Sequence, residues 1–337
     1  MRIENDIKLD FDDVLIKPKR SELKSRKDVK LEREYTFLHT EKKWSGVPII
    51  AANMDSVGTF EAAKVLQKHK MITAIHKYYS LEDWKKNYHE LDSNYVVPTI
   101  GIRDEDFEFL NVLYDFYQPF FVNIDVANGY GQHFVEYVEE IKNLFANITI
   151  IAGNVVSADM VQELLLKGAS IVKCGIGSGA LCTSRIVAGV GVPQLSMIIE
   201  CADAGHGLNG QIISDGGCKN PGDVAKAFGA GADFVMLGNI LAGHEENAIE
   251  KEGKVLIRGM SSKSANEEYS GGLKNYKASE GREVYINNKG KIENTLNEIK
   301  GGLRSACTYT GAWKLKDLSK CTTFVRVNET HNRFFEK

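Results

Sequence analysis

Cys182 has the clearest capacity for covalent chemistry in this chain. It closes the run Gly175-Ile176-Gly177-Ser178-Gly179-Ala180-Leu181 and leads into Thr183-Ser184-Arg185. Three glycines in five residues describe a loop bent too sharply for ordinary side chains, its carbonyl and N–H groups free to face a ligand or ion. A thiol there becomes nucleophilic where a helix N-terminus or a cation such as Arg185 lowers its pKa. The bland alternative, a small buried hydrophobe, suits Cys174, Cys201 and Cys218, which lie in apolar or turn contexts. Two further loops, Ser214-Asp215-Gly216-Gly217 and Leu237-Gly238-Asn239, suit phosphate, because glycine lets backbone N–H groups approach an anion closely. One glycine pair alone is usually a tight turn, but two such loops after the last two apolar runs favour a phosphate-bearing ligand. The Asp215 carboxylate beside them is suited to ribose hydroxyls or, equally, to capping a helix.

These residues need a frame. Eight short apolar runs, many rich in β-branched residues, recur at 47–51, 71–75, 96–100, 120–124, 148–151, 170–173, 211–214 and 233–237. Stretches with helical spacing, such as 59–69, 81–91 and 157–167, separate most of them. Strand–helix alternation with strands apolar on both faces implies parallel strands and crossover helices. Gly168 and Gly231 stand where a helix would end in a left-handed residue before the next strand. Eight units favour a closed (β/α)8 TIM barrel. The competing open doubly wound sheet lacks its Gly-x-Gly-x-x-Gly turn, since the first run leads into Ala52-Asn53-Met54-Asp55. In a barrel the loops after the sixth, seventh and eighth strands share the carboxyl face, which brings Cys182 to the phosphate loops. Around the barrel the sequence suggests an N-terminal arm over 1–45 and a Gly-, Ser- and charge-rich stretch over about 242–290 with little periodicity. That stretch reads as a mobile lid. C-terminal helices over 292–299 and 313–318 then precede an exposed tail, within a final segment 291–337.

Composition narrows the function classes. A net charge of -3 and a pI near 6.3 give no footprint for nucleic acid. The Lys-rich stretch 17–30 is interrupted by acids and reads as a solvated arm. Six cysteines without a Cys-x-x-Cys pair suit a reducing cytoplasm, and no apolar run approaches the ~20 residues of a membrane span.

The motifs together resemble the IMP dehydrogenase/GMP reductase family, and its reductase branch in particular. The resemblance rests on Gly177 to Arg185, Glu200-Cys201-Ala202-Asp203-Ala204-Gly205-His206-Gly207-Leu208, Ser214 to Cys218, Pro221 to Gly238 and Gly259-Met260-Ser261-Ser262. It runs from Phe11-Asp12-Asp13-Val14-Leu15 to Thr323-Phe324-Val325-Arg326-Val327. It implies NADPH-dependent reductive deamination of GMP to IMP and ammonia, with Cys182 attacking C2 of the purine and a covalent thioimidate left behind. It assigns the proton relay to Ser184, where the family has threonine, and to Glu280 in the lid. It places GMP on Asp215, Gly216, Gly217, Gly238, Asn239, Gly259, Met260 and Ser261, and on lid residues Lys277, Ala278, Ser279 and Gly281. Lys277 stands in place of an arginine. The cofactor is expected at Lys77, Asp125, Val126, Ala127, Ile176 and Gly177, the alternative for Lys77 and Asp125 being a rim ion pair. Its adenosine end is expected at Ser25 and Arg26, or at Ser305, Ala306, Cys307 and Thr308, from a neighbouring subunit of a homotetramer. A potassium ion is expected on carbonyls of Gly177, Gly179 and Cys182 near Arg185. The dehydrogenases of the family carry a regulatory module inside the barrel, for which there is no room between the second and third strands. They also use an Arg-Tyr pair on a flap, absent from 242–290. IMP dehydrogenase and a purine-nucleotide sensor without turnover remain the competing functions.

Overall fold

The computed structural model describes residues 1–330. Eight parallel strands close into a barrel in chain order: β1 (Ile49–Ala51), β2 (Ile72–Ile75), β3 (Val96–Ile100), β4 (Phe121–Asp125), β5 (Thr149–Val155), β6 (Ile171–Cys174), β7 (Gln211–Asp215) and β8 (Phe234–Leu237). All eight expected runs are strands within a few residues of their expected bounds. β1, β2, β3, β5, β6 and β8 are buried at every position, as parallel strands covered on both faces must be.

The crossover helices are α1 (Phe60–Leu66), α2 (Leu81–Asn87), α3 (Asp104–Tyr117), α4 (Gln132–Leu144), α5 (Ala158–Leu166), α6 (Gln194–Gly207) and α7 (Pro221–Gly229). Their starts carry local signals. Ser80 accepts from the Asp83 N–H at 3.2 Å while the Asp83 carboxylate accepts from the Ser80 N–H at 2.9 Å, a reciprocal cap. Asn220 caps α7 by accepting from the Asp223 N–H at 3.0 Å, with Pro221 in the first turn. Gly168 and Gly231 have positive φ, 117° and 110°, where the chain turns into β6 and β8. Only α2 and a short 3-10 turn lie between β2 and β3.

The N-terminal arm is more structured than expected. Arg33–Thr36 and Lys43–Gly46 form an antiparallel hairpin that plugs the amino end of the barrel. Tyr35 stacks on Phe234 at 4.8 Å and Phe37 meets Phe121 edge-on at 5.2 Å, both partners being the first residues of their strands. Val14–Ile16 pairs with Phe324–Arg326, so arm and tail form one ribbon instead of a free end.

The 242–290 stretch is not structureless. It holds an antiparallel sheet of β9 (Ile249–Lys251), β10 (Lys254–Arg258) and β11 (Glu283–Ile286), with α8 (Lys263–Ser270) between β10 and β11. The closing helix α9 (Ile292–Thr310) runs well beyond the expected 299. Gly301-Gly302 reads as a breaker in the sequence, yet a Cβ on Gly302 would lie 2.5 Å from Pro221 Cβ, so close packing on α7 requires the glycine. The expected helix at 313–318 is instead a 3-10 turn over Leu315–Asp317 and one helical turn over Leu318–Cys321.

Candidate active site

The carboxyl ends of the strands open into a cleft of about 760 Å³, near the upper end of the range for small-molecule sites. Cys182 lines it, half-buried. The Cys182 thiol donates to Ser184 Oγ at 3.3 Å, and the Ser184 hydroxyl donates in turn to Glu280 Oε2. Backbone pairing holds this chain of three in place: the Thr183 N–H donates to the Glu280 carbonyl at 2.9 Å and the Arg282 N–H to the Leu181 carbonyl at 2.8 Å. The cysteine loop and the segment before β11 are thereby joined as a short antiparallel bridge at Cys182 and Gly281.

Arg185 does less for the thiol than the sequence suggests. Its guanidinium donates to Asp10 Oδ2 at 2.7 Å and to the Val192 carbonyl at 3.2 Å. Asp10 is the main cause of its raised pKa, and the Cys182 charge is a lesser one. The helix that begins at Ser184 is a single turn, Ser184–Val187, which limits its dipole. Asp10 also accepts the Gln194 N–H at 2.5 Å, so this residue of the arm pins both ends of the loop carrying Cys182.

Gly216 and Gly217 both have positive φ, 87° and 84°. A Cβ on Gly216 would lie 2.8 Å from Ser178 Oγ and 3.1 Å from the Gly179 nitrogen, so the phosphate loop packs directly on the cysteine loop. Gly238, Asn239, Gly259, Met260, Ser261, Lys277 and Ala278 line the same cleft. Ser279 reaches the Ser261 carbonyl at 3.2 Å, and Gly281 packs on the backbone of Ser261 and Ser262. Asp215 is the last residue of β7 and caps nothing, since Asn220 caps α7; that alternative is removed.

The feature least visible in the sequence is Lys173, whose side chain is 2% exposed inside the barrel. Its ammonium touches Asp125 Oδ1 at 2.5 Å, Asp215 Oδ2 at 3.1 Å and Asn154 Oδ1. Asn154 also donates to Asp215 Oδ2 at 2.8 Å. Burial pushes the Asp125 carboxyl up, but the charge and hydrogen bond of Lys173 outweigh it and hold the pKa below its usual value. Burial likewise works against the Lys173 ammonium, and the two carboxylates more than restore it. The alternative for Lys77 and Asp125, a rim ion pair, does not form; Asp125 is paired inward with Lys173 instead. A lone lysine in an otherwise apolar strand run was the signal available for Lys173.

Lys77, Asp125, Val126, Ala127, Ile176 and Gly177 line the same cleft as Cys182. Ser25, Arg26 and 305–308 do not reach it. The 3-10 turn Arg26–Asp28, capped by Ser25, packs against α9, the helix that holds 305–308. Cys307 is buried in the core and its thiol pKa is pushed up to about 12 by burial, so it offers no side chain to a ligand. The Gly179 carbonyl accepts the Cys182 N–H at 3.0 Å, and Gly177, with φ 78°, is kept open by Arg185 Cγ, which a Cβ would meet at 2.8 Å.

A second buried network went unread. Arg258 on β10 donates from Nε to Asp55 Oδ2 at 2.8 Å, and from its terminal nitrogens to Glu268 at 2.5 Å and Ser264 at 3.2 Å. Tyr269 of α8 stacks on Tyr78 at 3.8 Å. These contacts fasten the β9–β11 sheet and α8 to the loops after β1 and β2.

A parallel barrel with phosphate-type glycine loops and a cysteine at the carboxyl face defines a class of nucleotide-handling barrel proteins. Residues 8–333 match the family model described as IMP dehydrogenase / GMP reductase domain, and the chain belongs to that family. Relatives described as GMP reductase from Escherichia coli (strain K12 / DH10B) and Shigella boydii serotype 4 (strain Sb227) are each 55% identical over 344 residues, covering 99% of this chain and 99% of theirs.

Proposed function

We propose that this protein is a GMP reductase, converting GMP to IMP and ammonia with NADPH. The observation that carries the reading is the hydrogen-bonded chain from Cys182 through Ser184 to Glu280, set beside the phosphate loop at Gly216 and Gly217.

The direction of those bonds suggests the steps. With the thiol donating to Ser184 and Ser184 to Glu280, the cysteine proton passes to the Glu280 carboxylate as the sulfur forms its bond to C2. The same proton, returned through Ser184, converts the 2-amino group into ammonia as the C–N bond breaks, leaving a thioimidate between Cys182 and C2. Covalent catalysis divides one displacement into two easier steps, and proton transfer of this kind contributes ~10² to 10⁴ in rate. Ser184 retains the hydroxyl of threonine but lacks its second Cβ substituent, so its rotamer rests on the Glu280 bond.

Phosphate is held by the loops of β7 and β8, and the Asp215 carboxylate accepts from the ribose. Lys277 supplies charge from the lid segment without an arginine's bidentate fork. Lys77, Asp125, Val126, Ala127, Ile176 and Gly177 would hold NADPH, which would supply the hydride to C2 as the C–S bond breaks and the Cys182 thiolate leaves. Its adenosine end meets Ser25 and Arg26, or the half-buried Ser305, Ala306 and Thr308, of a neighbouring copy in a homotetramer. Within one chain none of those residues lines the cleft, which is what a contribution from a second molecule requires. The β9–β11 sheet with α8 acts as the mobile lid, and the whole chain as one catalytic domain. Carbonyls of Gly177, Gly179 and Cys182, near Arg185, would hold a potassium ion that steadies the cysteine loop. The enzyme works in the cytoplasm, in keeping with six unpaired cysteines and with no helix among the described residues long and apolar enough to cross a membrane.

The test is absorbance at 340 nm with GMP and NADPH. Oxidation of NADPH that requires GMP and disappears in Cys182→Ala is expected. Full activity in that variant refutes the mechanism, sustained NADH formation from IMP shows a dehydrogenase, and tight GMP binding without turnover shows a sensor.

A further inference from the structure

A second hollow of about 600 Å³ lies at the opposite end of the barrel, between the start of the hairpin, the end of α1 and the outer face of α9. Its walls carry the cations Lys30, Lys68, Lys70, Lys300 and Arg304, with the His69 imidazole among them. The acids nearby are mostly committed. Glu32 holds Lys70 at 2.9 Å and Glu293 faces His69 Nε2 at 3.5 Å, leaving Glu34 at the rim. Among the described residues, no carboxylate lies within ion-pair distance of Lys30, Lys68, Lys300 or Arg304.

The crowding is more than a solvated surface would produce. Lys300 and Arg304 stand one turn apart on α9, both half-buried, and Lys300 donates to His69 Nδ1 at 2.9 Å. Burial first, and then the Arg304 charge, lower the Lys300 pKa. His69 is lowered by burial and then by Lys300. Lys300 and Arg304, partly desolvated side by side with no carboxylate among the described residues in ion-pair distance of either, carry a standing cost that an anion in the hollow relieves.

We propose that this hollow is a second binding site, separate from the catalytic cleft, for an anion carrying several adjacent phosphates. A single phosphate would leave most of the volume unfilled, whereas a polyphosphate spans from Lys68 and His69 across to Lys300 and Arg304. Ligand bound there grips the amino end of the barrel and α9, the helix whose later turns carry 305–308.

The probe is inorganic tripolyphosphate, titrated calorimetrically into the intact protein with GMP present to occupy the loops at Gly216 and Gly217. Saturable binding is expected, weakened at least tenfold in a Lys300→Gln/Arg304→Gln double variant that keeps wild-type circular dichroism and turnover. Should that variant not fold, Lys68→Gln, a change at an exposed position, decides the matter and is expected to weaken binding about threefold. No saturable binding to the wild type, equal affinity in the variant, or displacement of tripolyphosphate by GMP overturns the proposal. An absence of binding with a change in assembly mass in the double variant assigns the hollow to a contact between copies, and overturns it too.

Discussion

Replacing Lys173 with methionine roughly keeps the volume of the side chain and removes its charge together with the ammonium's hydrogen bonds to Asp125, Asn154 and Asp215. The two carboxylates touching its nitrogen at 2.5 and 3.1 Å are then at most about 6 Å apart. At an effective dielectric of ~20, two like charges at that distance repel by about 3 kcal/mol, and losing one member of a buried ionic cluster typically costs ~3 to 5 kcal/mol. The pH dependence separates this account from a packing defect. In the wild type the Asp125 pKa lies below its usual value. Its stabilisation is therefore fully present above the unfolded aspartate pKa near ~3.9 and is lost only as pH falls through the lower folded value. In Lys173→Met one of the two carboxyls takes a raised pKa, and a carboxyl raised in the folded state costs stability from the unfolded value of ~3.9 upward, the cost growing until pH passes the folded value and staying constant above it. The gap in unfolding free energy between wild type and variant is thus already present near pH 5 and is expected to widen with pH to about 3 kcal/mol or more by pH 8. Urea unfolding followed by circular dichroism at pH 5, 6.5 and 8 measures it. A gap that is flat across this range, or below ~1 kcal/mol at pH 8, refutes the reasoning.

Three further outcomes are expected. Glu280→Gln slows GMP-dependent NADPH oxidation by ~10² to 10⁴, Ser184→Ala falls in the same range and Ser184→Thr stays near wild type; a Glu280→Gln enzyme within threefold of wild type contradicts the relay. His206 has a raised pKa, chiefly because Asp233 accepts its ring N–H at 2.8 Å. Its contribution is complete below the unfolded histidine pKa near ~6.5 and fades as pH rises through the higher folded value, so the Tm difference between wild type and His206→Ala narrows from pH 6 to pH 9, and widening argues otherwise. Gly216→Ala forces a Cβ into a site with φ 87° and Ser178 Oγ at 2.8 Å. It is expected to lose ~1 to 2 kcal/mol of stability, seen as a lower Tm, and to raise the KM for GMP by tenfold or more; an unchanged KM would mean that the loop does not hold phosphate.

What could be read from the sequence, and what could not, follows from where each residue's partners lie. The barrel strands were legible because burial on both faces leaves an apolar run with no alternation to misread. The 242–290 region was not, since β9 and β11 are short and largely exposed, and strands of three or four residues carry little pattern. Cys182 and the glycine loops announced themselves because their chemistry is local, written in neighbouring residues. Lys173 depends on partners 48 and 42 residues away, and its value appears only through the barrel's register. β6 sets Lys173 against Gly153 on one side and Ile213 on the other. Gly153 must be glycine here, since a Cβ would lie 2.7 Å from Lys173 Cβ and 2.4 Å from its carbonyl oxygen. The ammonium consequently rises along the barrel interior to the ends of β4 and β7, where the residue proposed for the cofactor and the residue proposed for the ribose share it. Losing either carboxylate leaves Lys173 with a single anionic partner, so a change on the cofactor side is felt on the substrate side through one nitrogen atom.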